Sequence, residues 1–384
     1  MPARRLAVVA SHPIQYQAPL FRELARRLDL TVFYAHRATP DDQAKAGFGV
    51  GFDWDVDLLT GYAHEFLVNV AKRPGLDHFA GCDTPRIGAA LREGRFDALL
   101  LPGWHFKAYL QALYAAKRLG LPILARGDSH LGTPRSAGKR AIKSFIFPPF
   151  LRLFDAALYV GQLSRAYWRH YRYPPARLFF SPHCVDADWF AARATAAARA
   201  TPRAKLRIED DAKVALFAGK LVSVKRPLDL IRAAAMLKSA DNAITVLVAG
   251  TGPLEQEMIA AARESGVPCH TLGFCNQSEM PAVYAMSDVL VLPSDSETWG
   301  LAANEALACG RPVILSDAVG AAPDLAADGT AGRIYPVGDI DALARALRDV
   351  ILTPPAAEQI AIKSRSYGVA AAVAGIEAAL SSIF

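Results

Sequence analysis

Two glutamates stand eight positions apart in SDSETWGLAANEALACG, residues 294–310: Glu297 just ahead of a helical pattern and Glu305 on its second turn. The runs DVLVLPS and PVILSD on either side read as buried strands. The helix between them therefore starts at the carboxyl edge of a parallel sheet, where such folds bind ligands. Beginning at Trp299, Gly300 and Leu301, it turns backbone N–H groups and its positive dipole end outward, which suits phosphate oxygens. Two carboxylates beside an anion would repel it. They serve better as acceptors for hydroxyl donors, at about 1.5–3 kcal/mol per charge-assisted bond. A second stretch, FAGKLVSVKRP, ends a strand at Gly219 and follows it with Lys220 and Lys225. Two ammonium groups there can neutralise a diphosphate and stabilise charge on a leaving group. Each stretch alone has a plainer reading, a surface acid or a solvated basic loop. Together they fit one ligand: a diphosphate with a hydroxylated ring at each end, which is a nucleotide sugar.

Two other patterns compete for attention. FDWDVDL offers Asp53, Asp55 and Asp57, which could suggest an Asp-x-Asp metal site. Strict alternation with Phe52, Trp54, Val56 and Leu58 reads instead as a strand with one apolar and one acidic face. The lysine pair already supplies the charge a metal would bring, so no metal and no other cofactor is expected. The glutamate pair could also belong to a glycoside hydrolase. Hydrolysis needs neither the lysines nor the helix-terminus anion site, so group transfer is the better reading.

The elements that must position these residues are regular. Short apolar runs (LAVVA, FDALLLPG, LPILARG, FDAALYVG, KVALFAG, ITVLVAG, SDVLVLPS, PVILSD) alternate with helical patterns of ten to fourteen residues. That alternation predicts βαβ units, parallel sheets and an α/β class. The chain of 384 residues, 52% apolar and 21% charged, divides into two doubly wound domains. The expected boundaries are 1–186, a linker at 187–212, a second domain at 213–360 and a final helical segment at 361–384. No run reaches the roughly 18 consecutive apolar residues of a spanning helix. The basic N-terminus carries only LAVVA as an apolar core, too short for a secretory signal. Five cysteines without CxxC spacing are expected to be reduced thiols, hence a cytoplasmic location.

Taken together, the second half resembles the retaining glycosyltransferases of family 4. GKLVSVKRPLDLIRAA is similar to that family's phosphate-gripping segment, with Lys220 where arginine is commoner. AGTGPLEQEM resembles its glycine-rich turn, and residues 272–347 follow its signature through the paired glutamates. SPHCVDADWF, 181–190, resembles the segment closing the first domain, with His183 and Cys184 replacing Asn and Gly; Asp324 stands where the family prefers Glu. The resemblance implies the GT-B fold, two facing Rossmann-like domains with a C-terminal helix crossing back to the first. It implies that Glu297 contacts sugar hydroxyls, that backbone at Gly300, Leu301 and Ala302 beside Trp299 holds sugar and phosphate, and that Glu305 binds the ribose hydroxyls. Lys220 and Lys225 would grip the pyrophosphate, and Gly273 and Phe274 would border the base. Anomeric configuration would be retained, without a metal. A GT-B epimerase or phosphorylase, and an inactive sugar-nucleotide-binding subunit, are the alternative readings.

The first half resembles the family less closely, as an acceptor side would. SHPIQYQAP replaces the usual glycine pair after the first strand, which singles out Ser11, His12 and Gln15, with His12 either an acceptor or phosphate contact or a cap. LARGDSHL stands where the family carries a histidine near the donor sugar; His130 and Asp128 both fit, and Arg126 is also at the strand end. Charge separates the halves as well: residues 1–200 hold 27 Lys and Arg against 16 Asp and Glu, residues 201–384 hold 16 against 21. RSAGKRAIKSFIFPPFLRLF, 135–154, mixes Arg135, Lys139, Arg140 and Lys143 with Ile142, Phe145, Ile146 and Phe147. Such a segment can lie on an anionic membrane surface or pack as a helix with a wet basic face. Nucleic acid is not expected, because no recognition motif accompanies the charge. The matching partners are a nucleotide-sugar donor and a glycan or lipid-linked glycan acceptor of surface-polysaccharide assembly, at the inner face of a membrane.

Overall fold

Residues 4–45, 49–132, 136–238 and 243–384 are described by the computed structural model. Among them, β1 (Arg5–Ala10), β2 (Asp29–Tyr34), β3 (Ala63–Phe66), β4 (Ala98–Leu101), β5 (Ile123–Gly127), β6 (Ala156–Tyr159) and β7 (Leu178–Phe180) form one parallel sheet. Its order is β3-β2-β1-β4-β5-β6-β7. A second parallel sheet contains β8 (Lys213–Ala218), β9 (Ile244–Ala249), β10 (Cys269–Thr271), β11 (Val289–Leu292), β12 (Val313–Ser316) and β13 (Gly332–Tyr335). Its order is β10-β9-β8-β11-β12-β13. In each, strand order runs outward in both directions from a central pair, the doubly wound arrangement in which right-handed crossovers place helices on both faces.

The central strands are apolar on both faces. Leu6 to Ala10, Ala98 to Leu101, Val214 to Phe217 and Val289 to Val291 are all fully buried, as parallel sheets covered by helices require. At about 1.5–3 kcal/mol per buried large aliphatic side chain, this burial dominates the stability of each sheet. The helix Lys107–Leu119 ends at Gly120 in the left-handed conformation, the stop its sequence signalled.

The chain divides into two compact units. Among the described residues, one comprises 4–45, 50–132, 136–183 and 369–384, the other Gly49, 184–238 and 243–368. The tail returns to the first unit: helix Val369–Ile383 buries Ala372, Val373, Ile376 and Leu380. Gly375 makes this possible, since a Cβ there would collide with the Phe180 carbonyl at the end of β7. By length and composition alone, 357–383 is long and apolar enough to cross a membrane. The structure divides it into Ala357–Ser366, in the second unit, and Val369–Ile383, in the first.

Two expectations are corrected. Residues 187–212 are folded, with helices Ala187–Arg193 and Ala196–Lys205 packed in the second unit. Phe190 is buried, and Arg203, 1% exposed, donates to the carbonyls of Met286 and Asp210 at 3.1 and 2.8 Å. An Ala/Arg composition resembles a linker, yet here the guanidinium groups gather carbonyls left at a helix end. FDWDVDL belongs to no strand; it runs irregularly, with a bend at Asp55 and Val56. Its alternation survives, with Asp53, Asp55 and Asp57 outward and Phe52, Trp54, Val56 and Leu58 turned in. The period was that of a strand; pairing depends on a neighbour the period cannot supply.

Candidate functional site

In the second unit the strand order reverses between β8 and β11. The loops leaving two such strands diverge and open a crevice at their carboxyl ends. The loop after β8 carries Lys220 and Lys225, and the loop after β11 carries Glu297. The two loops are tied together. The Asp295 N–H donates to Val224 O at 2.8 Å. Arg226, held at φ +49°, donates to Asp229 Oδ2 at 2.6 Å and Asp295 Oδ1 at 3.2 Å. Over this tie, Lys225 Nζ donates to Glu297 Oε2. A helix N-terminus, two ammonium groups and a carboxylate thus gather at one edge.

Lys220 is half-buried, and burial, with the charge of Lys225, pulls its pKa below the usual lysine value while Glu297 opposes the fall. Partial burial disfavours the charged form of such a group, and a nearby anion would restore it. The helix Leu301–Ala308 starts from Gly300 at φ +99°. A Cβ there would stand 3.2 Å from the side chains of Leu292 and Val319 and 3.3 Å from Glu297. No side chain caps this helix among the described residues, so the orphan N–H groups of its first turn, at Leu301 and Ala302, are natural partners for phosphate.

Glu305 lies one turn further on. Tyr284 donates to its Oε2 at 2.7 Å. Burial raises the carboxyl pKa to about 7, against hydrogen bonds from Tyr284 and Gln277 that lower it. The Tyr284 phenol stays protonated, its pKa pushed well up by burial and by Glu305. Gln277 belongs to the loop that begins at Gly273 and Phe274, and the Gly250 N–H bonds Gly273 O at 2.7 Å. The expected base-bordering loop and the expected ribose acid therefore meet.

Trp299 departs from expectation. Its ring is 3% exposed, its Nε1 donates to Asn304 Oδ1 at 2.8 Å, and it lies 6.1 Å from the Tyr367 ring. The indole supports the loop from within, leaving its backbone at the helix start. Sequence reasoning missed Tyr284, Gln277, Arg226 and Asp295. Only Arg226 left a signal, in Asp229 three residues later.

The first unit arranges its candidates at the carboxyl ends of β1 and β5. Ser11 Oγ lies 3.0 Å from His12 Nδ1. Burial and the neighbouring His36 lower the His12 pKa to about 4, so the ring is neutral at pH 7. Gln15 follows on the same loop. Arg126 is buried, and its Nε donates to Ser181 Oγ at 3.2 Å and Ser181 O at 3.3 Å, its Nη2 to Pro182 O. Ser181 Oγ in turn donates to Ala372 O at 2.9 Å. Arg126 is thus a clamp on β7 and the C-terminal helix, which explains its place at a strand end. Asp128 Oδ2 lies 3.5 Å from His183 Nε2. His130 is buried beside Gly132. The Phe52–Leu58 segment walls a pocket with Pro13, Arg37 and Phe66. Among the described residues, no three His, Cys, Asp or Glu side chains form a group that could hold a metal ion.

Residues 198–367 match the model of the family described as glycosyl transferases group 1. The second unit belongs to that group. Over 176 residues the chain is 34% identical to the D-inositol 3-phosphate glycosyltransferase of Mycolicibacterium smegmatis, covering 45% of this chain and 39% of that one. Over 223 residues it is 30% identical to the same organism's GDP-mannose-dependent alpha-(1-6)-phosphatidylinositol monomannoside mannosyltransferase, covering 56% and 57%. The chain thus spans less than two thirds of the length of these relatives. Among solved structures, Anabaena HepE in complex with UDP superposes with a TM-score of 0.73 at 16% identity, covering 99% of this chain and 100% of that one. Sucrose-phosphate synthase from Thermosynechococcus elongatus gives 0.71 at 17%, covering 99% of each. The fold is GT-B.

Proposed function

We propose that the protein is a retaining, metal-independent glycosyltransferase. It moves a sugar from a nucleoside-diphosphate sugar to a hydroxyl of a glycan or glycolipid, in assembly of a surface polysaccharide. The observation that carries the reading is the Lys225–Glu297 pair at the β8/β11 reversal, beside Lys220 and the helix that starts at Leu301. The named activities of the two mycobacterial relatives support glycosyl transfer, and the nucleotide in HepE supports a nucleotide-sugar donor. One relative is named for GDP-mannose and the neighbour holds UDP, so the base stays open.

In this reading the diphosphate lies against Lys220, Lys225 and the N–H groups of Leu301 and Ala302. Lys225 already holds Glu297, which fixes the position of that carboxylate where the sugar hydroxyls would lie. Glu305, as the anion, accepts from the ribose hydroxyls. The C1–oxygen bond to the diphosphate breaks, and the leaving group keeps the electron pair. The acceptor oxygen bonds C1 from the same face, its proton passing to a phosphate oxygen of the leaving group. Glu297 is committed to Lys225 rather than poised as a nucleophile, which favours this course over a covalent intermediate. Metal independence rests on the two ammonium groups supplying the charge a divalent ion would bring. On the acceptor side, His12, Gln15, Asp128 and His130 are the proposed contacts, with His130 the catalytic one. The proposed location is the cytoplasm, which suits five cysteines that form no disulfide among the described residues.

The test is nucleoside-diphosphate release from UDP-glucose and GDP-mannose, with and without chelator, and product anomer assigned by NMR. Release that persists in chelator and an unchanged anomer agree with the proposal. A strict metal requirement or an inverted product contradicts it. Conversion of the donor sugar without any acceptor would favour an epimerase.

A further inference from the structure

The helix Ala137–Leu151 has two apolar faces, and the fold uses one. Its inner face sets Phe147 and Phe150 against Trp104, with ring centroids 6.1 and 5.9 Å apart, and buries Leu151. Lys143 Nζ sits over the rings of Phe147, Tyr167 and Tyr171 at 4.2, 4.7 and 5.5 Å, which locks the helix at its base. The opposite face carries Ile142, Phe145 and Ile146, exposed by 61%, 85% and 53%, with Leu153 just beyond at 40%. The spacing i, i+3, i+4 puts the first three in one stripe. A phenylalanine this bare, flanked by two isoleucines on a rigid support, is a surface waiting to be covered.

Charge says by what. Lys139, Arg140 and Arg152 are exposed around the stripe; Arg135 lies outside the described residues. The sequence has no acid between Asp128 and Asp155, and Asp155 is taken by Lys117 at 3.1 Å. Arg172 lines the same pocket as Phe145 and adds to this neighbourhood. A second copy of this chain meeting the same face would set these cations against their own images, which a two-fold contact cannot relieve. We propose that the outer face of the helix Ala137–Leu151 seats in the headgroup layer of an anionic lipid bilayer, with Ile142, Phe145 and Ile146 among the acyl chains and Lys139, Arg140 and Arg152 against lipid phosphates. This is the arrangement of an interfacial amphipathic helix, and anionic lipid strengthens it by about fivefold per basic residue near the surface.

The experiment is sedimentation with phosphatidylcholine vesicles, with and without phosphatidylglycerol, in the absence of any sugar, so its outcome is independent of the transfer reading. Wild-type protein is expected in the pellet with phosphatidylglycerol at low salt, returning to the supernatant as salt rises. Ile142→Ser combined with Phe145→Ser is expected to weaken retention by tenfold or more. Lys139→Glu should weaken it by about fivefold or more. Both variants alter exposed side chains, and unchanged thermal unfolding establishes that they fold. Three results overturn the proposal: wild type left in the supernatant at low salt, the serine variant retained like wild type, or a dimer in light scattering that Phe145→Ser dissolves while vesicles bind nothing.

Discussion

The two sheets of this protein end in the same kind of crevice and furnish it in opposite ways. At the edge of the second, Lys220 is desolvated, Lys225 is held by Glu297, and Glu305 has its carboxyl pKa raised to about 7. At the edge of the first, the buried Arg126 spends its donors on backbone carbonyls and His12 is held neutral by burial. One edge gathers partly buried charge around its crevice; the other has folded much of its charge into the structure. The same residue class, a cation at a strand's carboxyl end, is architectural in the first sheet; in the second it is the proposed partner of the donor's diphosphate.

That contrast breaks most visibly on catalysis. Replacing Lys225 or Lys220 by alanine should lower turnover by about 10²–10³-fold, the cost of removing a preorganised donor to developing charge. The same change at Arg126 should act on folding instead. It strands the carbonyls of Ser181 and Pro182 and loosens the C-terminal helix, lowering stability by about 2–3 kcal/mol. Thermal melts and rates measured on both variants decide the matter. Because burial depresses the pKa of Lys220, Lys220→Met should leave the melting temperature unchanged or raise it. If Lys220→Met melts early and Arg126→Ala does not, the contrast is wrong.

Acid and base sharpen the comparison further, with opposite signs. Glu305 titrates near 7 when folded and near 4.5 as a model group. Its contribution to stability is therefore present below pH 4.5 and lost as pH rises through about 7, by up to about 3 kcal/mol. Glu305→Gln should relieve that loss, raising the melting temperature at pH 8 and leaving it nearly unchanged at pH 4.5. Nucleotide affinity should rise through pH 7 in wild type and not in the variant. His12 titrates near 4 when folded and near 6.5 as a model group. Its contribution is present above pH 6.5 and lost as pH falls toward 4, by a similar upper bound. His12→Asn should flatten the melting temperature over that window. The smallest expected effect is at Gly300, where alanine meets φ +99° and three side chains within 3.3 Å. A cost of about 1–3 kcal/mol in melts is expected, with weaker nucleotide binding.

Much of the second unit could be read from its residues, because its chemistry is contiguous. Glu297, Gly300 and Glu305 stand on one loop and helix, and the β/α alternation placed that loop at a sheet edge. What the sequence could not carry were contacts across distance. The Lys225–Glu297 pair joins two loops, and Tyr284 and Gln277 reach Glu305 from another. Trp299 turned inward because Asn304, five residues on, offered its carbonyl to the indole. In the first unit the same limit is sharper. Nothing local distinguishes Arg126, which serves β7 and the C-terminal helix, from a ligand-binding arginine. Asp128 and His130 fit one pattern equally, and Asp128 is the one near His183. The Ala/Arg run at 187–212 concealed helices for the same reason, its guanidinium groups answering carbonyls near residue 286.

The most direct test of the donor site is calorimetric titration of UDP and of GDP into wild type and into Lys220→Met/Lys225→Met at low and moderate salt. The account predicts one site on the wild type for at least one nucleotide, weakened by ten- to a hundredfold in the variant and by added salt, with the melting temperature preserved. Equal binding by both proteins, or binding indifferent to salt, would contradict it.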